Sequence, residues 1–145
     1  MPANKKIQHA LDAIIAIITA NYSSGANAIR LRTAKPPNKI SVFPAAIAWV
    51  GNGKWTKDDA TTKRGLHTLK LIIAVAAKGD FQREVTTLMN YSDDLPDKLL
   101  GDVALSGNVD TIIEIRYEFG DVPWGDQMLI GWLFQIDVKM KSPIA

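Results

Sequence analysis

Cysteine is missing from this sequence altogether. Its absence removes disulfide bridges, thiolate nucleophiles and cysteine-built zinc centres in one stroke. Histidine is scarce. His9 and His67 stand far apart, which leaves almost no material for an imidazole-based metal site. Long apolar runs are lacking too: the longest, Ala13 to Ala20, is interrupted by Thr19 and is too short for the roughly 20 residues of a bilayer-spanning helix. The basic start leads into an amphipathic stretch, not a uniform apolar block, so no secretory signal is expected and the product reads as soluble and intracellular.

Complete catalytic motifs are equally missing. Gly51-Asn52-Gly53-Lys54 has Ala48 where a phosphate loop needs its first glycine, and Trp55 where it needs Ser or Thr. The nucleophile elbow Gly-x-Ser-x-Gly does not occur, and Ser106 belongs to a turn. Asp93, Asp94, Asp97 and Asp102 lack the alternating spacing of a calcium loop. No base, nucleophile and orienting partner come together. The expectation is a protein that is not an enzyme and carries no cofactor and no metal.

What the sequence does have is alternation. From Asp110 to Lys141 two segments repeat with period two, the signature of strands with one face in a core. In the first, Thr111, Ile113, Ile115, Tyr117 and Phe119 share a face, opposite Ile112, Glu114, Arg116 and Glu118. In the second, Met128, Ile130, Trp132, Phe134, Ile136, Val138 and Met140 share a face. Turn residues over Tyr117–Asp126 join them, predicting a long antiparallel hairpin at the centre of a sheet.

Upstream, Asn4 to Tyr22 reads as a helix with Ile7, Leu11, Ile14, Ile15 and Ile18 in one stripe. Ala26 to Lys39 reads as a loop containing Pro36-Pro37. Ile40 to Val50 is apolar with Pro44 inside it, which fits an edge strand, a bulged strand or two short strands. Gly51 to Gly65 is polar and reads as an exposed excursion, either a hairpin tip or a mobile loop. Leu66 to Ala77 alternates, then turns apolar on both faces, as a central strand does. A second helix is expected from Gly79-Asp80 with Phe81, Val85, Leu88 and Met89 as its stripe, then a break at Asp93–Pro96 and a further helical turn to Leu100. The whole predicts one α+β domain over residues 1–145: a mostly antiparallel twisted β-sheet with two α-helices packed on one face.

Charge is segregated. Arg30 to Arg64 holds eight basic residues against two acids, whereas Asp80 to Asp126 holds eleven acids against three bases. Separation of this kind speaks to association, and copies with the two regions on opposite sides would dock head to tail. The candidate contacts are Arg30, Arg32, Lys54, Trp55, Lys57, Lys63, Arg64 and Trp124. Trp55 and Trp124 fall in expected loops, where a tryptophan either folds back on its own core or is held out for a partner. Lys54-Trp55-Thr56-Lys57 with Lys63-Arg64 mixes cations and an aromatic, a composition that meets nucleic acid. No recognition motif accompanies it.

The stretch Leu95 to Ile112 carries a resemblance. Its Leu95-x-x-x-Leu99 helix is followed by Leu105-Ser106-Gly107-Asn108-Val109, a Leu-x-Gly-x-Val turn, and then by the strand pair. Together with the N-terminal helix and the proline-bearing strand at Phe43-Pro44-Ala45, this resembles the tail terminator (tail completion) proteins of long-tailed bacteriophages. The resemblance implies an α+β fold and a homohexameric ring. That ring would cap the tail tube, end its polymerisation and present a surface to the head–neck connector proteins, with DNA passing through its lumen and no membrane involved. It places the protein in the virion, at the neck end of the tail. The family's motifs transfer no individual functional residue. Two further readings stay open: another neck or adaptor component, and a small monomeric nucleic-acid-binding module.

Overall fold

The computed structural model describes residues 6–25, 28–77 and 91–144. Helix α1 (Ile7–Tyr22) leads into strand β1 (Leu31–Thr33); β2 (Ala45–Lys57), β3 (Thr62–Ala77), helix α2 (Tyr91–Leu100), β4 (Thr111–Trp124) and β5 (Gln127–Pro143) follow. The five strands form one sheet in the order β1-β2-β3-β5-β4, parallel between β1 and β2 and antiparallel elsewhere. This is the expected α+β class, a mostly antiparallel sheet with two helices on one face.

Alternation in the sequence decides which face meets the helices. Leu69, Leu71, Ile73 and Val75 of β3 join Trp132, Phe134, Ile136, Val138 and Met140 of β5, and α1 and α2 cover them with Leu11, Ile14, Ile18, Leu95 and Leu99. A smaller core on the opposite face gathers Ile40, Ala45, Ile47, Ile72, Ala74, Val122 and Leu129. Apolar side chains on both faces make β3 the central strand, as its sequence predicts.

Several expectations need correction. The β4–β5 hairpin is not central: β4 is the last strand at one edge. That position explains why Pro123 lies within a strand, since an edge strand loses no ladder bond on its outer side. The loop expected over Tyr117–Asp126 shrinks to Gly125-Asp126, with Trp124 paired to Gln127. Positive φ at Gly125 (57°) suits the first position of such a two-residue turn. The expected face assignment in β4 breaks at a bulge between Ile112 and Glu114. One extra residue shifts the alternation. Ile112 therefore enters the helix-side core that Ile115 packs against, while Ile113 is 54% exposed.

Of the two forms expected for the exposed Gly51–Gly65 excursion, the structure shows the hairpin tip and not the loop. β2 and β3 run on through it in register, from Asn52↔Thr68 to Lys57↔Lys63, and only Asp58–Thr61 turns. Asp59 closes that turn. Its carboxylate accepts from the Thr61 and Thr62 amides at 2.8 and 2.9 Å, and the bond from Thr61 leads in holding its pKa down at about 2. The loop expected over Ala26–Lys39 contains β1, and the apolar run after it becomes a strand only at Ala45, past a cis Phe43-Pro44 bond. The helix expected from Gly79 to Met89 lies outside the described residues. The break expected at Asp93–Pro96 is instead helix α2, with Pro96 inside it. A proline there costs about 3 kcal/mol, and full burial of Tyr91, Leu95 and Leu99 at about 1.5–3 kcal/mol each offsets it.

An aromatic ladder ties the layers together. Tyr22 of α1 meets Tyr91 of α2 edge-on at 5.3 Å, Tyr91 meets Trp132 of β5 at 5.6 Å, and Trp132 meets Phe119 of β4 at 4.8 Å. The Trp132 indole N–H donates to Ser92 Oγ at 2.7 Å, and the Tyr22 hydroxyl donates to Asp94 at 2.5 Å. Burial, with that carboxylate beside it, drives the Tyr22 pKa upward and keeps the phenol a donor. Beside Trp132, Gly131 pairs with Ala74 on one side and Gly120 on the other. A Cβ at Gly131 would collide with the Ile73 carbonyl oxygen and reach 2.9 Å from the Ala74 Cα. Because these are backbone atoms of the central strand, Gly131→Ala is expected to cost about 1–3 kcal/mol. Urea denaturation with an unchanged m-value is the measurement.

Candidate functional site

Toward the β2–β3 turn, β2, β3 and β5 run on side by side, with β4 beginning beside β5 at Thr111. Their rows are fixed by register: Asn52–Thr68–Asp137, then Lys54–Leu66–Lys139, then Thr56–Arg64–Lys141. Period-two alternation gives this end of the sheet two chemically different faces.

On the helix side lies an aromatic cluster. His67 is buried, 5% exposed, although it sits in a polar stretch. Gly53 and Gly65 make room for it: a Cβ at Gly53 would strike His67 Nδ1, and one at Gly65 would strike Nε2. Trp55 covers the imidazole with ring centroids 4.5 Å apart, and the Lys63 ammonium lies 4.4 Å from the Trp55 ring centroid. The two glycines that read as loop punctuation are therefore a bed for a histidine ring. Nε2 of His67 is buried with no hydrogen-bond partner among the described residues. Burial first, and Lys63 second, lower the imidazole pKa, so the ring is held neutral.

The open face carries a shallow groove of about 510 Å³. Leu66 (48% exposed) and Ile113 from the β4 bulge supply its apolar surface, and Lys54, Arg64 and Lys139 supply charge. Arg64 pairs with Asp58 at 3.6 Å, and Lys141 holds the same carboxylate at 3.1 Å. Lys54 and Lys139 make no ion pair with any described residue. In the neighbouring row Asp137 is satisfied by Thr68 at 2.6 Å and by Arg116 at 3.1 Å.

The structure thus brings some of the expected contact residues together and leaves others apart. Lys54 and Arg64 meet in the groove, while Trp55 and Lys63 belong to the aromatic cluster behind it; Lys57 is exposed at the end of β2. Arg30 is exposed just before β1, and Arg32 is half-buried within it, with Nη1 unpartnered among the described residues. Trp124 corrects the expectation of a loop aromatic: it ends β4, packs edge-on against Trp49 at 5.4 Å and donates from its indole to the Pro37 carbonyl at 2.9 Å. It clamps the Pro-Pro segment onto the sheet. Sequence reasoning missed Leu66, Ile113 and Lys139. A leucine between Arg64 and Thr68 was the available signal for the first; the bulge that exposes Ile113 has none.

The buried imidazole generates a pH expectation. Its folded pKa lies below the unfolded value of 6.5. Between the two values the unfolded chain binds the proton and the folded chain does not. The stability contribution is therefore complete above 6.5 and is lost as the pH falls through the folded pKa. Thermal melts stepped down from neutral pH are expected to show a loss of Tm that is smaller in His67→Gln. Equal losses in both proteins would clear His67 of the effect. No protein-family model matches this sequence, and no curated protein matches it.

Proposed function

We propose that this chain is a structural virion protein of the phage tail–neck junction. In this reading it forms a homohexameric ring that caps the tail tube, ends its polymerisation and offers a surface for head and neck attachment. The observation that carries the reading is a sheet with two edges of opposite charge that no described strand covers along most of their length. On one side, β1 pairs only with Ala45, Ala46 and Ile47, so β2 from Ala48 to Lys57 has no outer strand among the described residues. That edge bears Lys54 and Lys57 and no acid, and its Val50 and Trp55 side chains are exposed. On the other side, β4 carries Glu114, Glu118 and Asp121 against the single base Arg116. Among the described residues its outer edge makes one backbone hydrogen bond, donated by the Ile112 N–H to the Val103 carbonyl at 2.8 Å.

Long uncovered strand edges invite pairing. An acidic edge and a basic edge on opposite sides of one sheet suit a heterologous contact, which closes into a ring when the rotation between copies permits. The α+β fold is the one that the tail-terminator resemblance implies, and this too supports the reading.

Light scattering behind a sizing column is expected to give a discrete species of six copies at low salt, and a smaller mass as salt screens the edges. Glu118→Lys is expected to reduce the mass at every salt. The ring reading is overturned by a monomer under all conditions that also fails to cap purified tail tubes. A Lys63→Glu, Arg64→Glu protein that assembles and caps normally would remove the hairpin tip from the mechanism.

A further inference from the structure

The groove on the open face asks for a ligand that the ring reading does not supply. Its floor is aliphatic, from Leu66 and Ile113, and lies on a sheet face that the smaller core does not reach. Along one register row Leu66 stands between Lys54 on β2 and Lys139 on β5. Both lysines are exposed and unpaired with any described residue. Exposed cations this close repel one another, and the arrangement gains when an anion enters. An exposed leucine between them gains when an apolar group covers it.

The spacing narrows the ligand. Two strand-to-strand steps separate Lys54 from Lys139, about 10 Å between backbones. In an extended peptide, side chains on one face recur every second residue, so positions i and i+4 lie about 13 Å apart. Lysine side chains, splaying outward from the row, span that difference. We infer that the groove binds an extended segment of another protein with the spacing acid-x-aliphatic-x-acid, laid across the strands. Its aliphatic side chain rests on Leu66, its carboxylates meet Lys54 and Lys139, and Ile113 of β4 borders the Lys139 side. Arg64, partly neutralised by Asp58, borders the site without being needed for the pair.

A second copy of this chain does not fit. The spacing occurs twice here, as Asp93-x-Leu95-x-Asp97 and Asp110-x-Ile112-x-Glu114. In both, folding buries the aliphatic residue, Leu95 at 0% and Ile112 at 6% exposure. A nucleic acid strand fits less well. The cations would attract its phosphates, but bases stack on aromatic rings, and the one nearby tryptophan, Trp55, faces the other side against His67. The inference goes beyond the ring reading but shares Lys54 with the β2 edge which that reading pairs, so the variants chosen lie at Leu66 of β3 and Lys139 of β5, on neither edge strand.

The probe is a fluorescein-labelled nonapeptide, Gly-Ser-Asp-Ser-Leu-Ser-Asp-Ser-Gly, titrated with the full chain and followed by anisotropy. Saturable binding is expected. Replacing the peptide's leucine by serine, or its aspartates by asparagine, is expected to weaken it about tenfold, a change of about 1.4 kcal/mol. Leu66→Ser and Lys139→Gln are expected to do the same, and both positions are exposed enough to leave the fold intact by far-UV circular dichroism. Lys35→Glu, on the loop after β1, is expected to change nothing. The inference is overturned if the peptide does not bind saturably, or if the serine peptide binds as well as its parent. It is overturned also if neither chain variant weakens binding, or if a single-stranded oligonucleotide displaces the peptide at lower concentration than unlabelled peptide does.

Discussion

Burial of Trp132 is the constraint on which the rest of the structure depends. Its indole is wholly enclosed, yet it touches elements from separate parts of the chain: Ser92 and Tyr91 of α2, Phe119 of β4, and through Tyr91 the end of α1. A tryptophan can be buried this deeply only where its N–H finds a partner, and Ser92 provides it. Next to it, Gly131 lets β5 lie close against β3. The helix layer is thereby anchored over one end of the sheet. At the other end, from Lys54 to Leu66, β2 and β3 run out to their exposed turn.

That division sorts the chemistry of the molecule. Under the helices, side chains on β3 and β5 are apolar and serve the fold. Toward the β2–β3 turn, the same strands carry a different program: a neutral histidine between two glycines on one face, and a cation-rimmed leucine on the other. The two faces are coupled by register, because Lys54 and Leu66 of the groove neighbour Trp55, Gly65 and His67 of the aromatic cluster along their strands. A change around the imidazole therefore bears on the backbone that spaces the groove lysines.

Much of the fold was legible. The helix stripe of α1, the alternation of β5 and the doubly apolar centre of β3 each follow from burial on a known period. What misled was glycine and proline. Gly51, Gly53 and Gly65 left a hairpin tip and a loop both open, because the usual meaning of clustered glycine is a turn; here Gly53 accommodates a ring from the neighbouring strand, a tertiary cause that local pattern cannot carry, and Gly65 accommodates the same ring from two residues away on its own strand. Pro123 and Pro96 read as stops, but one lies where no outer hydrogen bond is needed and the other within a helix whose buried residues offset it. Of the site, the basic residues were visible and their grouping was not. Lys54 and Lys139 are 85 positions apart in the chain and two strands apart in the sheet.

The pairing of β3 with β5 also bears on how the molecule forms. Thr62 lies opposite Pro143, and Ala77 opposite Leu129, so the central strand finds its second neighbour only after α2 and β4 have been synthesised. Until then β3 and β2 are a hairpin with a long apolar edge unmet on one side. Contacts of such sequence separation belong to slowly folding topologies. The edge that waits, Leu69 to Ala76, is also the most apolar stretch of the sheet. Until β5 arrives, that edge is the surface on which unfinished chains would associate with one another, so folding of this sheet competes with aggregation in a way the finished molecule no longer shows.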